Sequence, residues 1–477
     1  MSVTNSAQTD SAKTKGHPSN GISPGRLAAY QILKRVEEEG AYASILLATW
    51  DELPERDRAL CYELTMGVLR RQLTLDWLIA HYANRDAGRL DAAVRRVLRL
   101  GLYQLRFLSR VPPSAAVNDA VKLVRFARVR SADKFVNAVL RRAVRESDYD
   151  PLTGISDPLE RIAVGTSHPR WLIERWSLSL GLSETEAFAR ANNEPPPISF
   201  RLTAPVSDKN EVLDQLGAAG ATLVASRLVR NAWRISGATS ILRRFAQQGR
   251  IYVQDEASQL VGQLLDPMPG QLVLDLCAAP GSKTTHIAAL AQGKAVVVAG
   301  DLHEHRLQMI NHAAHIQNLR VHCVALDGER PPFKDATFDR VLVDAPCSGT
   351  GTLRRNPEIR WRISPADIEE LSNRQKRLLH SAARAVKPGG RLVYSTCSVE
   401  IEENEAVTKE FLEGNSSFFR IQLPVDPELV TEAGAVRTWP HRRGTEGFFI
   451  AAFERSNYFG KRVQRTKSRL VGGKGGL

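Results

Sequence analysis

The sequence has little cysteine, no long apolar run and no signal-peptide pattern. Its five cysteines follow no disulfide-framework spacing, which indicates reduced thiols in a cytoplasm. No apolar segment approaches the roughly 20 residues needed to cross a bilayer, and the polar first residues lack the hydrophobic core of a secretory signal. We also find no internal repeat. These absences exclude secreted, membrane-spanning and repeat proteins, and they predict a soluble cytoplasmic protein.

What is present describes a large, basic, globular protein. The chain has 477 residues, of which 43% are hydrophobic and 25% charged, so it is long enough for two to four domains with buried cores. The formal net charge of +13 favours an acidic partner, with nucleic acid first. The alternative is a basic surface that only keeps the protein soluble.

The first third of the chain predicts a helical domain. Residues 1–22 are rich in Ser, Thr, Asn and Gly and are expected to be disordered. Ser23 and Pro24 form a helix-start signal, after which apolar residues recur with helical period and no strand pattern interrupts them. We therefore predict an all-α domain over residues 23–147.

This helical domain concentrates positive charge. Between Val94 and Arg145 there are thirteen Lys or Arg residues against two acidic ones. Four of the arginines lie among apolar helix positions: Arg95, Arg96, Arg99 and Arg106. Because the apolar positions would face a core, we predict that the basic side faces outward and contacts phosphates. A solvated helix face is the alternative for any one of them.

Two further domains and a tail are predicted after a linker. Residues 160–250 mix strand and helix patterns as a small α+β module, a type that often binds RNA, although the aromatic stacking motif is missing. Residues 251–455 alternate apolar strands with helices, which predicts a doubly wound, mainly parallel α/β sheet of the Rossmann-like class. Residues 456–477 form a basic tail that is expected to be flexible.

The predicted sheet lacks the usual phosphate-binding motifs. Its first strand, Leu272–Leu276, leads into neither a dinucleotide G-x-G-x-x-G turn nor a triphosphate P-loop. The turn instead contains several small residues that let a ligand approach the backbone just before a helix begins. Its residues are Cys277, Ala278, Ala279, Pro280, Gly281, Ser282 and Lys283. The next two strands end in Asp301 and Asp327, acids suited to ribose hydroxyls and an adenine amino group. This adenosine site without a phosphate cradle fits S-adenosylmethionine, and helix capping is the alternative for each acid.

Two cysteines follow two later strands of the same sheet. The stretch Phe338–Gly351 begins as a β-branched strand, ends at Asp344 and turns through Cys347, while Cys397 follows the strand at 391–396. Since the carboxyl ends of parallel strands meet at one edge, we expect both thiols to face one crevice. Sequence does not rank the two, and either could be a buried core cysteine. The remaining cysteines are interpreted as core: Cys61, Cys277 and Cys323.

These motifs together resemble the RNA 5-methylcytosine methyltransferases. The resemblance rests on CAAPGSK, the two strand-end acids, DAPCSGTG, NPEIRW and YSTCS, and it covers nearly the whole chain. The helical region is similar to the NusB-type RNA-binding domain through RDRALCYELTMGVLRR and VPPSAAVNDAVKLVR. The resemblance implies S-adenosylmethionine as cofactor and small-subunit ribosomal RNA as partner, and we expect a monomer. One departure is Ser282, where the family usually has a second glycine.

The same resemblance implies a role for each residue of the site. Cys397 would add to carbon 6 of cytosine, and Cys347 would assist release of the product. Asp344 would contact the base near N3, and we also assign it to the cofactor-binding site. Lys283 would either lower the pKa of a thiol or contact the cofactor, and an ordinary solvated helix lysine is its alternative.

Two other groups of residues are weaker candidates. Four histidines cluster after Asp301 without a metal-binding motif, so no metal site is predicted: His303, His305, His312 and His315. Basic and aromatic residues follow the cysteine turn and are predicted to contact a single RNA strand, with a solvated loop as the alternative: Arg354, Arg355, Arg360, Trp361 and Arg362.

Two rival functions remain open on sequence alone. One is a catalytically silent RNA-binding or assembly factor, which does not need the retained thiols and acids. The other is an amino-methylating enzyme on the same fold, which needs an [N/D]-P-P-[Y/F] turn where this chain has Ala345-Pro346-Cys347. DNA 5-methylcytosine enzymes use the Pro-Cys thiol as nucleophile and lack the second cysteine.

Overall fold

The computed structural model describes residues 21–50, 52–203 and 209–457. The N-terminus predicted to be disordered lies outside the described residues except for its last two, and so does the predicted tail except for Ser456 and Asn457. Within the described part of the chain, no helix is both long enough and apolar enough to cross a membrane.

Helices and strands are numbered along the chain. The helices are α1 (Pro24–Glu38), α2 (Ala43–Ala48), α3 (Glu55–Arg70), α4 (Gln72–Ala83), α5 (Ala92–Phe107), α6 (Pro113–Phe126), α7 (Asp133–Arg145), α8 (Pro158–Thr166), α9 (Arg170–Ala191), α10 (Lys209–Ala218), α11 (Thr239–Gln247), α12 (Glu256–Leu265), α13 (Ser282–Leu290), α14 (Glu304–Ile316), α15 (Ile359–Arg362), α16 (Pro365–Ala385), α17 (Glu405–Gly414) and α18 (Pro440–Arg443). The strands are β1 (Ile198–Leu202), β2 (Thr222–Ala225), β3 (Ala232–Ser236), β4 (Ile251–Val253), β5 (Leu272–Asp275), β6 (Val296–Asp301), β7 (His322–Ala325), β8 (Phe338–Asp344), β9 (Val386–Thr396), β10 (Phe418–Arg420), β11 (Val436–Arg437) and β12 (Phe449–Arg455).

The described chain divides into two units that are not continuous in sequence. The first contains the residues up to 196 together with segments 352–363 and 440–444, and the second contains the rest. Helices α8 and α9 therefore belong with the first unit, and the small β module begins at β1. The predicted domain boundaries assumed continuous segments and stay a prediction.

The first unit is built from amphipathic helices around one core. Asp91 caps α5 by accepting hydrogen bonds from the amides of Ala93 and Val94, which satisfies two free donors of the first turn. Apolar residues at helical spacing on α1 and α3–α7 meet in a single buried cluster that includes Leu33 and Leu98. The prediction of an all-α N-terminal domain is confirmed.

Two of the arginines predicted to face outward lie inside this unit. The side chain of Arg96 is only 1% exposed and pairs with Glu37 at 2.7 Å and Glu38 at 3.0 Å. Arg99 pairs with Asp76 at 2.7 Å and Glu37 at 2.8 Å. The outward prediction for these two residues is wrong.

The reason for this difference is that α5 is surrounded by other helices. It packs against α1, α3, α4, α6 and α7, so both its apolar and its basic face meet protein. Arg106 likewise donates to the carbonyl oxygens of Ser147 and Tyr149. Exposed positive charge in this region is found instead on residues that follow α6 or lie on α7, including Arg128, Arg130 and Lys134.

The second unit begins with a small antiparallel sheet of order β2-β3-β1-β4. Helices α10 and α11 pack on it, and the shared core includes Phe200, Leu216, Ile235 and Phe245. The predicted α+β module is confirmed.

The large sheet has the order β10-β12-β9-β8-β5-β6-β7, with β11 paired to β12. Strands β9, β8, β5, β6 and β7 are parallel, and β12 and β10 add an antiparallel edge. The inner strands are apolar on both faces, as buried parallel strands must be. Val273, Leu274, Val341 and Leu342 are all 0% exposed, and burying each contributes about 1.5–3 kcal/mol. The predicted doubly wound, mainly parallel sheet is confirmed, although its last strand inserts beside β9.

The strand order creates a crevice at the carboxyl edge of the sheet. The chain runs outward from β5 through β6 to β7, then returns to the other side of β5 as β8 and continues to β9. This reversal between β5 and β8 is the kind of switch point at which open α/β sheets bind ligands. Helices α12 and α13 cover one face and α16 and α17 the other, so only the strand ends are open.

Arg96→Ala tests the internal pairing of the basic helix. The substitution leaves Glu37 and Glu38 without their shared partner, so the free energy of unfolding is expected to fall by about 2–3 kcal/mol. Thermal unfolding of the full chain, followed by helical circular dichroism, measures this loss. Arg130→Ala is the matched control because Arg130 is exposed, and its effect should stay within about 0.5 kcal/mol. Equal stability of the two variants would contradict the pairing.

Candidate active site

Strand ends of the large sheet meet at one edge of the second unit. Strands β5, β8 and β9 are parallel neighbours, so their carboxyl ends point the same way. Backbone hydrogen bonds join the segments that leave them. The amide of Leu276 donates to Leu342 O, and the amide of Ala345 donates to Ser395 O, both at 2.9 Å. Side chains that follow these strands therefore leave the sheet side by side.

The sulfur atoms of Cys347 and Cys397 lie 3.3 Å apart. Both residues are half-buried, and the amide of Gly351 donates to Cys397 O at 2.9 Å, which joins the two turns again. A Cβ at Gly351 would lie 2.0 Å from Gly447 O, so this approach requires glycine. Two thiols this close share a hydrogen bond, which makes the first proton easier to lose than the second.

Asp344 and Lys283 form a buried ion pair beside the thiols. Lys283 Nζ lies 2.6 Å from Asp344 Oδ2, and Ser395 Oγ donates to Asp344 Oδ1 at 2.7 Å. Burial disfavours the charged form of Lys283, but the carboxylate of Asp344 outweighs burial and the pKa of Lys283 is raised. The lysine side chain is only 11% exposed, so the alternative of a solvated helix lysine is wrong.

Opposite charges face the two thiols. The hydrogen bond to Cys397, burial and the charge of Glu403 together raise the pKa of Cys347 well above its usual value. The ammonium group of Lys283 instead interacts with the charge on Cys397. The surroundings of Cys347 therefore favour its neutral thiol form.

The turn between β5 and α13 comes close to neighbouring backbone. Gly281 has a φ of 103°, and a Cβ there would lie 3.0 Å from the Cα of Ile310. Only glycine adopts this conformation in so little space. Ser282, the departure from the family pattern, is the first residue of α13 and leaves the turn intact. Burial raises the pKa of the Cys277 thiol, which makes this cysteine unreactive.

A carboxyl group lies buried behind this turn. Asp275 ends β5 and accepts a hydrogen bond from Thr284 Oγ1 at 2.7 Å. Burial raises its pKa to about 7. Its second oxygen, Oδ1, has no hydrogen-bond partner among the residues that the structure describes. Asp275 is itself 0% exposed, so this oxygen lies inside the protein behind the turn.

The two other predicted acids also follow strands of the sheet. Asp301 ends β6 and is buried; its Oδ1 accepts from the amide of His303 at 3.0 Å and its Oδ2 lies 3.4 Å from Arg306 Nη1. Asp327 is exposed, and its Oδ1 accepts from the amide of Glu329 at 2.9 Å. Each acid therefore closes the turn that follows its strand, and neither caps a helix, so the alternative of helix capping is wrong.

Three arginines predicted to contact RNA instead donate to main-chain carbonyls within the first unit. Arg360 is fully buried, and burial lowers its pKa to about 9. The carbonyl acceptors are Pro195 and Gly444 for Arg354, Ser167 for Arg360, and Val36, Gly40 and Ala41 for Arg362. The prediction of RNA contact is wrong for Arg354 and Arg360, because both are buried and their guanidinium groups donate to main-chain oxygens inside the unit. Arg362 is exposed, so its contact with RNA stays a prediction.

The histidines after Asp301 form no metal site in the described residues. His303 and His305 have ring centroids 5.6 Å apart. No group of three or more His, Cys, Asp or Glu side chains in the described ranges is placed to hold a metal ion.

Motif reasoning missed one acidic residue near the thiols. Glu403 is fully buried and lies behind both cysteine turns. The signal available in the sequence was weak: two Cys-Ser pairs, at 347–348 and 397–398, and a run of glutamates from Glu400 to Glu405. Nothing in that run marks one glutamate as the buried member.

Mild oxidation tests the approach of the two sulfurs. To form a disulfide, the sulfurs need to move only about 1.3 Å closer. Diamide treatment of the folded protein is therefore expected to join Cys347 to Cys397, and peptide mapping by mass spectrometry identifies the linked pair. Cys397→Ala is the control that abolishes the product. A link from either thiol to Cys277 or Cys323, with the fold retained, would disprove the arrangement.

Comparison with known proteins gives the same domain series. Residues 262–454 match the family described as 16S rRNA methyltransferase RsmB/F. Residues 23–145 match the NusB family, and residues 168–242 match the ferredoxin-like domain of RsmF/B-like methyltransferases.

Curated relatives and solved structures agree with these matches. The ribosomal RNA small subunit methyltransferase B of Pseudomonas putida is 36% identical over 439 residues, which cover 89% of this chain and 97% of that protein. The protein of the same name in Erwinia tasmaniensis is 33% identical, over 89% of this chain and 97% of that protein. A crystal structure of a methyltransferase homolog from Pyrococcus horikoshii has a TM-score of 0.55 at 28% identity and covers 63% of this chain and 100% of that one. The resemblance inferred from the motifs is confirmed, and the chain belongs to the RsmB/F family of 16S rRNA methyltransferases.

Proposed function

We propose that this protein transfers a methyl group from S-adenosylmethionine to carbon 5 of a cytosine in small-subunit ribosomal RNA, through a covalent bond between Cys397 and carbon 6. The observation that carries the proposal is the pair of sulfurs 3.3 Å apart at adjoining strand ends, beside the Lys283–Asp344 ion pair. Family membership gives the class of reaction, and the thiol pair indicates which atom of the base is methylated.

The chemistry of cytosine explains the need for a thiolate. Carbon 5 belongs to an aromatic ring and is a poor nucleophile. Addition of a thiolate to carbon 6 interrupts the aromatic system and gives carbon 5 carbanion character. Carbon 5 can then form the new bond to a methyl group. Transfer of the carbon 5 proton to water then lets the C–H electrons re-form the C5–C6 double bond, and the carbon–sulfur bond breaks with its electrons leaving on the sulfur of Cys397 as the thiolate.

Cys397 is assigned as the nucleophile and Cys347 as the assisting thiol. The ammonium of Lys283 interacts with the charge on Cys397, whereas Cys347 is held as the neutral thiol. A neutral thiol 3.3 Å away can donate a hydrogen bond to the leaving sulfur and so stabilise the departing thiolate. The groups around the two thiols therefore favour the same assignment of nucleophile and assisting thiol that the family resemblance implies.

Asp344 is assigned to the base. Its carboxylate is held between Lys283 and Ser395 but remains 26% exposed at the thiol crevice. A carboxylate there can accept a hydrogen bond from a cytosine that is protonated at N3, which stabilises the ring after the thiolate has added. The base must leave its stack to reach this position.

The residues beside β5 and β6 fit the adenosine part of the cofactor. The tight turn at Gly281 and the carboxylate of Asp301 at the end of β6 are consistent with a neutral, hydroxyl-rich ligand. When bound, S-adenosylmethionine supplies the methyl group as an electrophilic sulfonium. The protein side chains orient the ligand, and Asp327 is assigned to the adenine end.

The RNA-binding surface is assigned to exposed cations of the first unit. Arg128, Arg130 and Lys134 are exposed near the junction of α6 and α7, and the chain carries a net charge of +13. Such cations contact phosphates without reading sequence. The proposal places the protein in the cytoplasm with its ribosomal RNA partner.

A position-resolved methylation assay tests the reaction. Purified protein, labelled S-adenosylmethionine and unmethylated small-subunit ribosomal RNA are expected to give label at cytosine, and bisulfite sequencing is expected to show protected cytosines. Label on an exocyclic amine, without bisulfite protection, would refute the assignment to carbon 5. Absence of any transfer to RNA, either free or in a partial ribosomal particle, would favour the silent assembly factor.

Trapping of the covalent intermediate tests the roles of the two cysteines. Cys397→Ala is expected to form no adduct and to lose about four orders of magnitude in rate, because it removes the proposed nucleophile. Cys347→Ala is expected to accumulate a covalent RNA–protein adduct that survives denaturing gel electrophoresis. Adduct formation by Cys397→Ala would show that the roles are reversed.

A further inference from the structure

A single buried carboxylate connects the two cysteine turns from behind. Glu403 Oε1 accepts hydrogen bonds from the amide of Ser348 at 2.8 Å and from Gln375 Nε2 at 2.9 Å. Glu403 Oε2 accepts from Ser348 Oγ at 2.5 Å and from Ser398 Oγ. Ser348 directly follows Cys347, and Ser398 directly follows Cys397. The carboxylate thus holds the residue next to each thiol.

Surrounding hydrogen bonds fix this carboxylate in turn. Gln375 Nε2 also donates to Pro346 O at 2.9 Å, just before Cys347. Tyr394 OH lies within hydrogen-bonding distance of both Gln375 Oε1 and the main-chain oxygen of Glu403, at 3.1 Å and 2.6 Å. All of these side chains are buried, so the network cannot exchange its partners for water.

The donors that hold Glu403 are all neutral. They are one amide, two hydroxyls and one carboxamide. A buried carboxylate held only by neutral groups is costly compared with an apolar side chain of similar size. Burial raises the pKa of Glu403, while the hydrogen bonds from Ser348 and Ser398 lower it again. A role beyond packing would account for this cost.

We propose that Glu403 is the positioning residue that sets the spacing of the two thiols and directs the negative charge of the pair to Cys397. Its hydrogen bonds fix the turn after each cysteine, and it accepts two of them from Ser348, next to Cys347, against one from Ser398, next to Cys397. This proposal rests on the proposed function only for the statement that Cys397 is the nucleophile.

The charges around the pair are consistent with this role. Cys347 faces Cys397, Glu403 and the phenol of Tyr394, none of which is positive. The ion pair of Lys283 and Asp344 lies on the Cys397 side. Glu403 contributes to the raised pKa of Cys347 after the hydrogen bond to Cys397 and burial. Removal of the Glu403 charge is therefore expected to lower the pKa of Cys347.

Alkylation of Cys347 alone provides the test. In a Cys397→Ala background, the rate of iodoacetamide labelling at Cys347 is measured against pH by peptide mapping, because only the thiolate reacts. Adding Glu403→Gln is expected to move the midpoint of this profile about one pH unit lower, a size typical for loss of one adjacent like charge. Glu402→Gln is the matched control, because it removes the same charge from an exposed neighbour, and its profile should not move.

A second measurement covers spacing as well as charge. Glu403→Asp in the otherwise unchanged chain keeps the charge but retracts it by one methylene, so the methylation kcat is expected to fall about tenfold with little change in KM for RNA. The pH profile of Cys347 in Glu403→Asp with Cys397→Ala should stay near that of Cys397→Ala alone. If Glu403→Gln does not fold, these two readouts decide the question.

Three results would overturn the proposal. The first is an unchanged Cys347 profile in a folded Glu403→Gln protein, the second is an equal shift in Glu402→Gln, and the third is full kcat in Glu403→Asp. Since alkylation needs no RNA, a shifted profile in a protein that methylates no cytosine at carbon 5 would refute the proposed function and leave the role of Glu403 standing. Methylation of cytosine at carbon 5 without a shifted Cys347 profile would refute the role of Glu403 and leave the proposed function standing.

Discussion

The site depends on two sulfur atoms that lie 3.3 Å apart and share a hydrogen bond. The charged groups that neighbour one sulfur differ from those that neighbour the other. Neither thiol is special by itself, since each follows a strand and each is half-buried. Their difference comes from what lies on either side, with the Lys283–Asp344 ion pair near Cys397 and the carboxylate of Glu403 near Cys347. The parallel sheet makes this possible, because β8 and β9 are adjacent and deliver both turns to the same edge. If β8 and β9 were not adjacent, the two cysteine turns would not meet at one edge of the sheet.

Features set by local sequence were predictable. Apolar β-branched strands, the glycine turn at Gly281 and the two cysteine turns each depend on a few consecutive residues, and the structure has all of them. The convergence of the thiols followed from one topological rule, that parallel strands end at a common edge. The ranking of Cys347 and Cys397 did not follow, because the charges that distinguish them come from α13 and from the segment before α17.

Charge could not be assigned to a surface from sequence alone. Arg96 and Arg99 lie on a helix whose composition is typical of phosphate binding. Their partners Glu37 and Asp76, however, lie far away in the chain. Arg360 follows a catalytic motif and is nevertheless fully buried. An arginine next to apolar residues can snorkel to solvent or pair inside, and the choice depends on which helices pack around it. Net charge therefore indicated the class of partner correctly but not the residues that meet it.

The position of Glu403 illustrates why a buried acid can be retained near a reactive pair. A carboxylate that only stabilised the fold would be replaceable by an apolar side chain, since its donors are neutral and its burial is costly. A carboxylate that helps to keep one thiol protonated has no apolar substitute, because its negative charge makes the neighbouring thiol a poorer acid. Hydrogen bonds to Ser348 and Ser398 fix that charge against the turn that follows each cysteine. Geometry and electrostatics are therefore supplied by the same side chain, and loss of either disturbs the same step.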